Sequence, residues 1–149
     1  MRGAPLTLVA VGRIRPGVEA DLFAHYNRRI QPPINVLEIV QKGGKIQEGA
    51  AILAALPASA YVAALDPGGQ MLSSEAFART LATWGRVHFV IGGADGLAPA
   101  VLAHANILIS LGAMTWPHML VRGMLAEQVF RARAITAGHP YHRGGEGPG

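Results

Sequence analysis

The sequence predicts an α/β fold: a parallel-rich sheet with helices on both faces. Three observations predict it. Apolar runs alternate with helical patterns along the whole chain. Five such runs can be strands, each separated from the next by a helical stretch, and a strand–helix–strand order favours parallel pairing. Half of the 149 residues are hydrophobic and 15% are charged. One domain of this size can bury about 70% of its unfolded surface.

The elements follow in order. Leu6–Val11 reads as the first strand, ended by Gly12. Val18, Leu22, Tyr26 and Ile30 recur at helical spacing, so a helix is expected over residues 17–29, closed by Pro32-Pro33. Residues 34–40 form the second strand, and Gly43-Gly44 turns into a helix over 45–56. Residues 60–65 form the third strand, followed by an Asp66-Pro67-Gly68-Gly69 turn. Ser73 or Ser74 caps a helix reaching Thr83. The fourth strand is Val87–Ile91, and Pro99 suits the first position of a short helix. The fifth strand covers 107–110. The last helix covers 118–137, with Gly138 to end it and Pro140 beyond.

Composition narrows the function. There is no cysteine, which excludes disulfides, thiolate zinc sites and cysteine nucleophiles. The longest apolar run, residues 50–65, is broken by Pro57 and Ser59. It falls short of the ~18 apolar residues of a membrane span. Arg13 and Arg15 follow the first apolar run where a signal peptide would carry small residues. A soluble, cytoplasmic protein is expected. The net charge of +4 is uneven: residues 1–45 carry seven Lys/Arg against three Asp/Glu, 46–117 two against four, and 118–149 four against two. Basic ends suit a polyanion such as nucleic acid, although an ordinary soluble surface also fits.

Ligands of parallel sheets sit at the carboxyl ends of strands, so the exits at Leu65, Ile91 and Ser110 are the place to look. The turn Gly92-Gly93-Ala94-Asp95-Gly96 lacks the G-x-G-x-x-G spacing, the later ribose-binding acid and any phosphate-loop lysine. It is either a tight turn or a backbone wall against a flat ligand. Leu111 to His118 can place Thr115 as a cap-like hydroxyl or a ligand contact. Met114 and Trp116 are either core or the border of an adenine-like ring. Glu127 and Arg131 are four apart and can pair, whether as a solvated surface pair or within a cleft. Arg122, Arg133 and Arg143 are candidates for phosphate contact, as are Arg28 and Arg29. His139-x-x-His142 lacks the partners of a recognisable metal site, and no hydrolase elbow or zinc-protease helix occurs.

Taken together, these segments resemble the RlmH family, small SPOUT methyltransferases that modify a pseudouridine of large-subunit ribosomal RNA. The likeness rests on Val9-Ala10-Val11-Gly12-Arg13, His25-Tyr26-Asn27-Arg28-Arg29-Ile30, Leu65-Asp66 with Gly69, and Ser73-Ser74-Glu75. Its most specific segments are Ile91 to Leu97, Leu111 to His118, Glu127-Gln128 with Arg131-Ala132, and His139-Pro140-Tyr141-His142-Arg143. Nearly the whole chain takes part. Gly112 departs from the family, which commonly has serine there; a backbone contact survives that change.

The resemblance implies a SPOUT-type α/β knot: a five- to six-stranded sheet with a C-terminal trefoil knot in a single domain over residues 1–143. The Gly-rich residues 144–149 are expected to be disordered. It also implies S-adenosylmethionine held at Leu65, Gly93 and the stretch Gly112, Ala113, Met114, Thr115, Trp116 and Pro117. The implied enzyme is a homodimer acting on N3 of a pseudouridine in 23S ribosomal RNA within the ribosome. On that reading Tyr141, His142 and Arg143 close over the base, Glu127 and Arg131 organise the cleft, and His118 is a weaker candidate. Either His142 or a water acts as base. The alternative is a knotted, non-catalytic RNA- or ribosome-binding module.

Overall fold

The computed structural model describes residues 2–143. The expected disordered tail, residues 144–149, lies outside the described residues. In chain order the elements are β1 (Leu6–Val11), α1 (Val18–Asn27), β2 (Asn35–Ile39), α2 (Lys45–Ala55) and β3 (Tyr61–Gln70). They continue with α3 (Ser74–Trp84), β4 (Val87–Ile91), α4 (Pro99–His104), β5 (Ile107–Ile109) and α5 (His118–Ala137). The five strands form one sheet in the order β2-β1-β4-β3-β5, and every pairing is parallel.

Side chains alternate across the strands, which gives the molecule two cores. Leu6, Leu8 and Ala10 of β1 join Val87, Phe89 and Ile91 of β4 beneath α1, α3 and α5. Val9, Val11, Val62, Ala64 and Val90 face the other way, onto Ile52 of α2 and Val101 of α4. Helices α3 and α5 meet the first face through Phe77, Leu81, Leu125 and Val129, whereas Val18, expected on the inner face of α1, is exposed. Local chemistry sets the ends. The Asn27 side chain accepts from the Ile34 amide at 2.7 Å and donates to the Ile34 carbonyl at 3.1 Å, closing α1 two residues before the expected end. Ser73 caps α3 by accepting from the Ala76 amide at 3.0 Å. Gly138 ends α5 in the left-handed conformation, with φ +72°.

One expectation changes. Asp66-Pro67-Gly68-Gly69 does not end the third strand; β3 runs on to Gln70 through an irregularity, with Leu65 and Gln70 both paired to Ile109. The turn chemistry is present, since the Gly68 amide donates to the Asp66 carboxylate at 2.9 Å. Pairing then resumes, with the Ser110 amide donating to the Gln70 carbonyl at 2.8 Å. Gly69 permits this because a β-carbon there would lie 2.5 Å from the Leu108 carbonyl carbon. The bulge therefore presses the β3 exit against β5, at the sheet edge from which the site is built.

Candidate active site

Three strand exits meet around one cavity of about 510 Å³. Leu65, Asp66 and Pro67 come from β3, Ile91 to Leu97 from β4, and Leu111, Gly112, Met114, Thr115 and Trp116 from beyond β5. Lys45 of α2 and His118 of α5 complete the wall. Six of the eight expected cofactor residues thus share one cavity: Leu65, Gly93, Gly112, Met114, Thr115 and Trp116. Ala113 and Pro117 are in the same loop but do not line it.

The loop after β5 is held by its own hydrogen bonds. Ser110 is buried, and its hydroxyl accepts from the Gly112 amide at 3.1 Å. The Trp116 indole donates to the Leu111 carbonyl at 3.3 Å. Gly112 takes φ +112°, a region that favours glycine. Met114 and Trp116 are not core residues: they are 74% and 39% exposed at the cavity mouth. Nor does Thr115 cap a helix, because α5 starts after Pro117 without a side-chain cap. In the β4 exit the two readings of the glycines combine. A β-carbon on Gly92 would meet the Gly96 carbonyl oxygen at 2.7 Å, so the turn requires that glycine, while Gly93 lines the cavity.

Behind the shared residues Leu65, Ile109, Leu111 and Gly112 lies a second, mostly apolar cavity of about 560 Å³. Glu127 and Gln128 of α5 and Ser74 of α3 supply polar groups on its wall. Glu127 anchors a cluster that draws in the C-terminal segment. Its carboxylate accepts from Arg131 Nη2 at 2.7 Å and from the Tyr141 hydroxyl at 2.7 Å. The Tyr141 ring sits edge-on to Phe130, with centroids 4.7 Å apart, and under the Arg131 guanidinium at 4.9 Å. Arg131 Nη1 reaches His142 Nδ1 at 2.9 Å, and His142 Nε2 meets the Glu75 carboxylate. Gln128 donates to Glu127 at 3.0 Å and accepts from the Ser74 hydroxyl at 2.8 Å.

This is more than a solvated helix pair. Glu127 and Arg131 are mostly buried, and their bond holds Arg131 more firmly protonated than a free arginine. Burial first, and then the bond to Glu127, pushes the Tyr141 pKa up, so the phenol stays protonated at neutral pH. The His142 bond lowers the Glu75 pKa. Arg143 is exposed beyond this cluster. Of the five expected catalytic residues, the fold unites Glu127, Arg131, Tyr141 and His142, with Arg143 following directly in the chain. These four do not line the first cavity; Glu127 lines the second.

The family model described as "Predicted SPOUT methyltransferase" matches residues 5–142. A protein of Gluconacetobacter diazotrophicus named "Ribosomal RNA large subunit methyltransferase H" is 50% identical, over 94% of this chain and 98% of its own. One of the same name from Rhodospirillum centenum is 52% identical, over 93% and 98%. The chain belongs to the RlmH family of SPOUT methyltransferases.

The fold agrees with this membership. A probable methylase family protein from Haemophilus influenzae superposes with a TM-score of 0.62 at 10% identity, covering 94% of this chain and 71% of that one. Within the RlmH-family chain, two arginines prove structural. Arg122 is 2% exposed and donates to Glu38 at 2.6 Å and to the carbonyls of Val11 and Gly12 at 3.3 and 2.9 Å. Arg133 donates to the Ala4 carbonyl at 2.9 Å and lies across Gly3. Buried as it is, Arg122 is not placed to meet a phosphate. His139 accepts from the Tyr141 amide at 3.2 Å, and among the described residues no three metal-ligating side chains gather.

Sequence reasoning gave no role to Glu75 or Gln128, and gave Ser74 only that of a helix cap, whereas its hydroxyl bonds to Gln128. The motif Ser73-Ser74-Glu75 was visible as a family segment, but its contacts with α5 and the C-terminal segment span 54 and 67 residues of chain. Lys45 was also missed. Its only signal was its position just after the Gly43-Gly44 turn, at a strand's carboxyl side.

Proposed function

We propose that this chain is an S-adenosylmethionine-dependent methyltransferase acting on N3 of a pseudouridine in 23S ribosomal RNA, in the cytoplasm and as a homodimer. The observation that carries the reading is the cavity that unites Leu65, Gly93 and the Gly112–Trp116 loop. Its volume of about 510 Å³ lies within the usual cofactor range of about 300–1,000 Å³. Apolar walls and main-chain groups suit an adenosine with a charged tail. The names of the relatives supply the ribosomal RNA substrate. The trefoil knot belongs to the same proposal. In support, the chain leaves β5 at the sheet edge, forms the cavity loop, and returns as α5 against α1 and α3.

The cofactor, when bound, supplies an electrophilic methyl group on sulfur. The protein's part is then orientation and electrostatics. Leu65 and Leu97 supply apolar wall to the cavity, and Met114 stands at its mouth. Gly93 and the loop around Gly112 bring main chain close to the ligand. The N3–H proton must leave as the N3–methyl bond forms, and nearby positive charge from Arg143 favours the ionised imide. Glu127, Arg131, Tyr141 and His142 hold Arg143's chain segment in place. Tyr141 is kept protonated and both His142 nitrogens are engaged, so the released proton goes to water.

Homodimerisation accounts for the separation of the C-terminal cluster from the cavity of its own chain, because a partner's segment can supply what one chain keeps apart. Met71, exposed on the wall of the apolar second cavity, supports a covered surface there. The deciding experiment is methyl transfer to ribosomes by the native chain and by a chain truncated after Gly138. The native chain should add one methyl to one pseudouridine, read by mass spectrometry of the RNA. Truncation should abolish transfer while cofactor binding persists. Full activity after truncation would remove the C-terminal segment from the mechanism.

A further inference from the structure

We infer that the RNA is gripped by a basic strip of Arg13, Arg15, Lys42 and Lys45 beside the cavity, posed by the buried Arg122. The inference rests on the RNA reading above and specifies its contact surface. In an all-parallel sheet, every strand-to-helix loop leaves from the same edge. The loops after β1 and β2 therefore share an edge with the cavity. Residues 12–17 and 40–45 carry four cations and no Asp or Glu. Arg13, Arg15 and Lys42 are exposed, and Lys45 turns onto the cavity wall. With β2 at the sheet margin and β1 next to it, the strip runs outward from the cavity across two strand ends.

The acid bonded to the loop after β1 is already neutralised. Glu38, at the end of β2, accepts from Arg122 at 2.6 Å and, through the same oxygen, from the Ile14 amide at 2.8 Å. Burial raises its pKa, but the Ile14 amide and Arg122 outweigh that and hold the carboxyl below its usual value. Arg122 also binds the carbonyls of Val11 and Gly12. Three groups at the β1 exit, the Val11 and Gly12 carbonyls and, through Glu38, the Ile14 amide, are thus fixed from α5, the helix that starts at the cavity wall. A charge held at a fixed distance from the reacting centre can set the register of a backbone, as phosphate contacts do.

Arg28 and Arg29 lie at the other end. They follow α1 and lead into the Gln31 turn, whose carbonyl accepts from the Gly3 amide below the start of β1. Arg29 also folds back onto the His25 carbonyl. The six residues of β1 separate them from the cavity edge, about 20 Å at 3.3 Å per residue.

The test compares two full-length variants, Arg13→Glu/Arg15→Glu/Lys42→Glu and Arg28→Glu/Arg29→Glu, with calorimetric S-adenosylmethionine binding as the check on folding. Binding to purified bacterial ribosomes is measured over a salt series. The strip variant should bind roughly tenfold or more weakly, with its salt slope reduced by about 0.7 for each phosphate it no longer neutralises. KM for ribosomes should rise while kcat at saturation holds. Native-like binding by the strip variant would overturn the inference, as would an equal or larger loss in the Arg28/Arg29 variant. A native chain that shows the strip-dependent slope but transfers no methyl would sink the enzymatic reading alone.

Discussion

Arg131 points Nη1 at Nδ1 of His142, 2.9 Å away. A guanidinium can only donate, so Nδ1 accepts and the ring proton lies on Nε2, facing Glu75. The imidazole therefore has no lone pair left for substrate. His142 acts as a clasp for the C-terminal segment, between α5 on one side and α3 on the other. His142→Gln, which keeps a donor and an acceptor, should retain more methyl transfer than His142→Ala. Equal, complete loss in both would return the ring to the role of base.

Tyr141→Phe keeps the ring against Phe130 and removes the bond to Glu127. A hydrogen bond to a charged group contributes about 1.5–3 kcal/mol, and partial exposure places this one near the lower figure. Hydrogen exchange of residues 139–143 should speed up by about tenfold, the equivalent of about 1.4 kcal/mol. Unchanged exchange would mean that the ring contact alone docks the segment.

Acid should release the same clasp. The Glu75 pKa is lowered by its bond to His142, with Arg79 adding to the effect, so the ionised carboxylate favours the folded arrangement. That contribution is fully present above the ordinary value of 4.5 and is lost as pH falls through the lowered folded value. Proteolysis just after Gly138 should accelerate across that window. Glu75→Gln should remove the acid dependence.

Arg122→Met leaves Glu38 without its cation and frees the carbonyls of Val11 and Gly12. Removing one partner of a buried pair costs about 3–5 kcal/mol, and Glu38's side chain is 27% exposed, which favours the low end. Urea unfolding should show a loss of about 3 kcal/mol. The double variant Arg122→Met/Glu38→Met should lose less than the single one, because no lone charge remains.

Gly69→Ala tests the bulge. Its β-carbon would lie 2.5–2.6 Å from backbone atoms of Leu108 and Ile109, which cannot rotate away. Destabilisation of about 1–3 kcal/mol is expected, together with weaker cofactor binding, since β5 leads straight into the cavity loop. Unchanged cofactor affinity would show that the loop tolerates displacement of its strand.

Periodicity made most of the fold legible. Leu6–Val11, Val87–Ile91 and His118–Ala137 have the bounds that their patterns predicted, because each is a long or strongly apolar run with glycine or proline at its ends. The β3 extension was hidden because Asp-Pro-Gly-Gly carries every local sign of a turn, and only the pairing of Gln70 with Ile109 overrides it. At the site, glycines and prolines marked the loops, but not which side chains face the cavity. Met114 and Trp116 had the composition of core residues, and only their place at the mouth decides otherwise. The Glu75–His142 contact was beyond reach, since no local rule relates residues on an exposed helix start to a segment past the last helix. Arg122 looked like a surface cation for a similar reason: its partners lie 84 to 111 residues away.

That long reach carries an evolutionary consequence. With one guanidinium serving Val11, Gly12 and Glu38 together, positions 38 and 122 form an epistatic pair. A lineage altering either alone passes through an intermediate with a stranded charge, so drift at the two sites is tied. Change there should arrive as coordinated double replacement, or not at all.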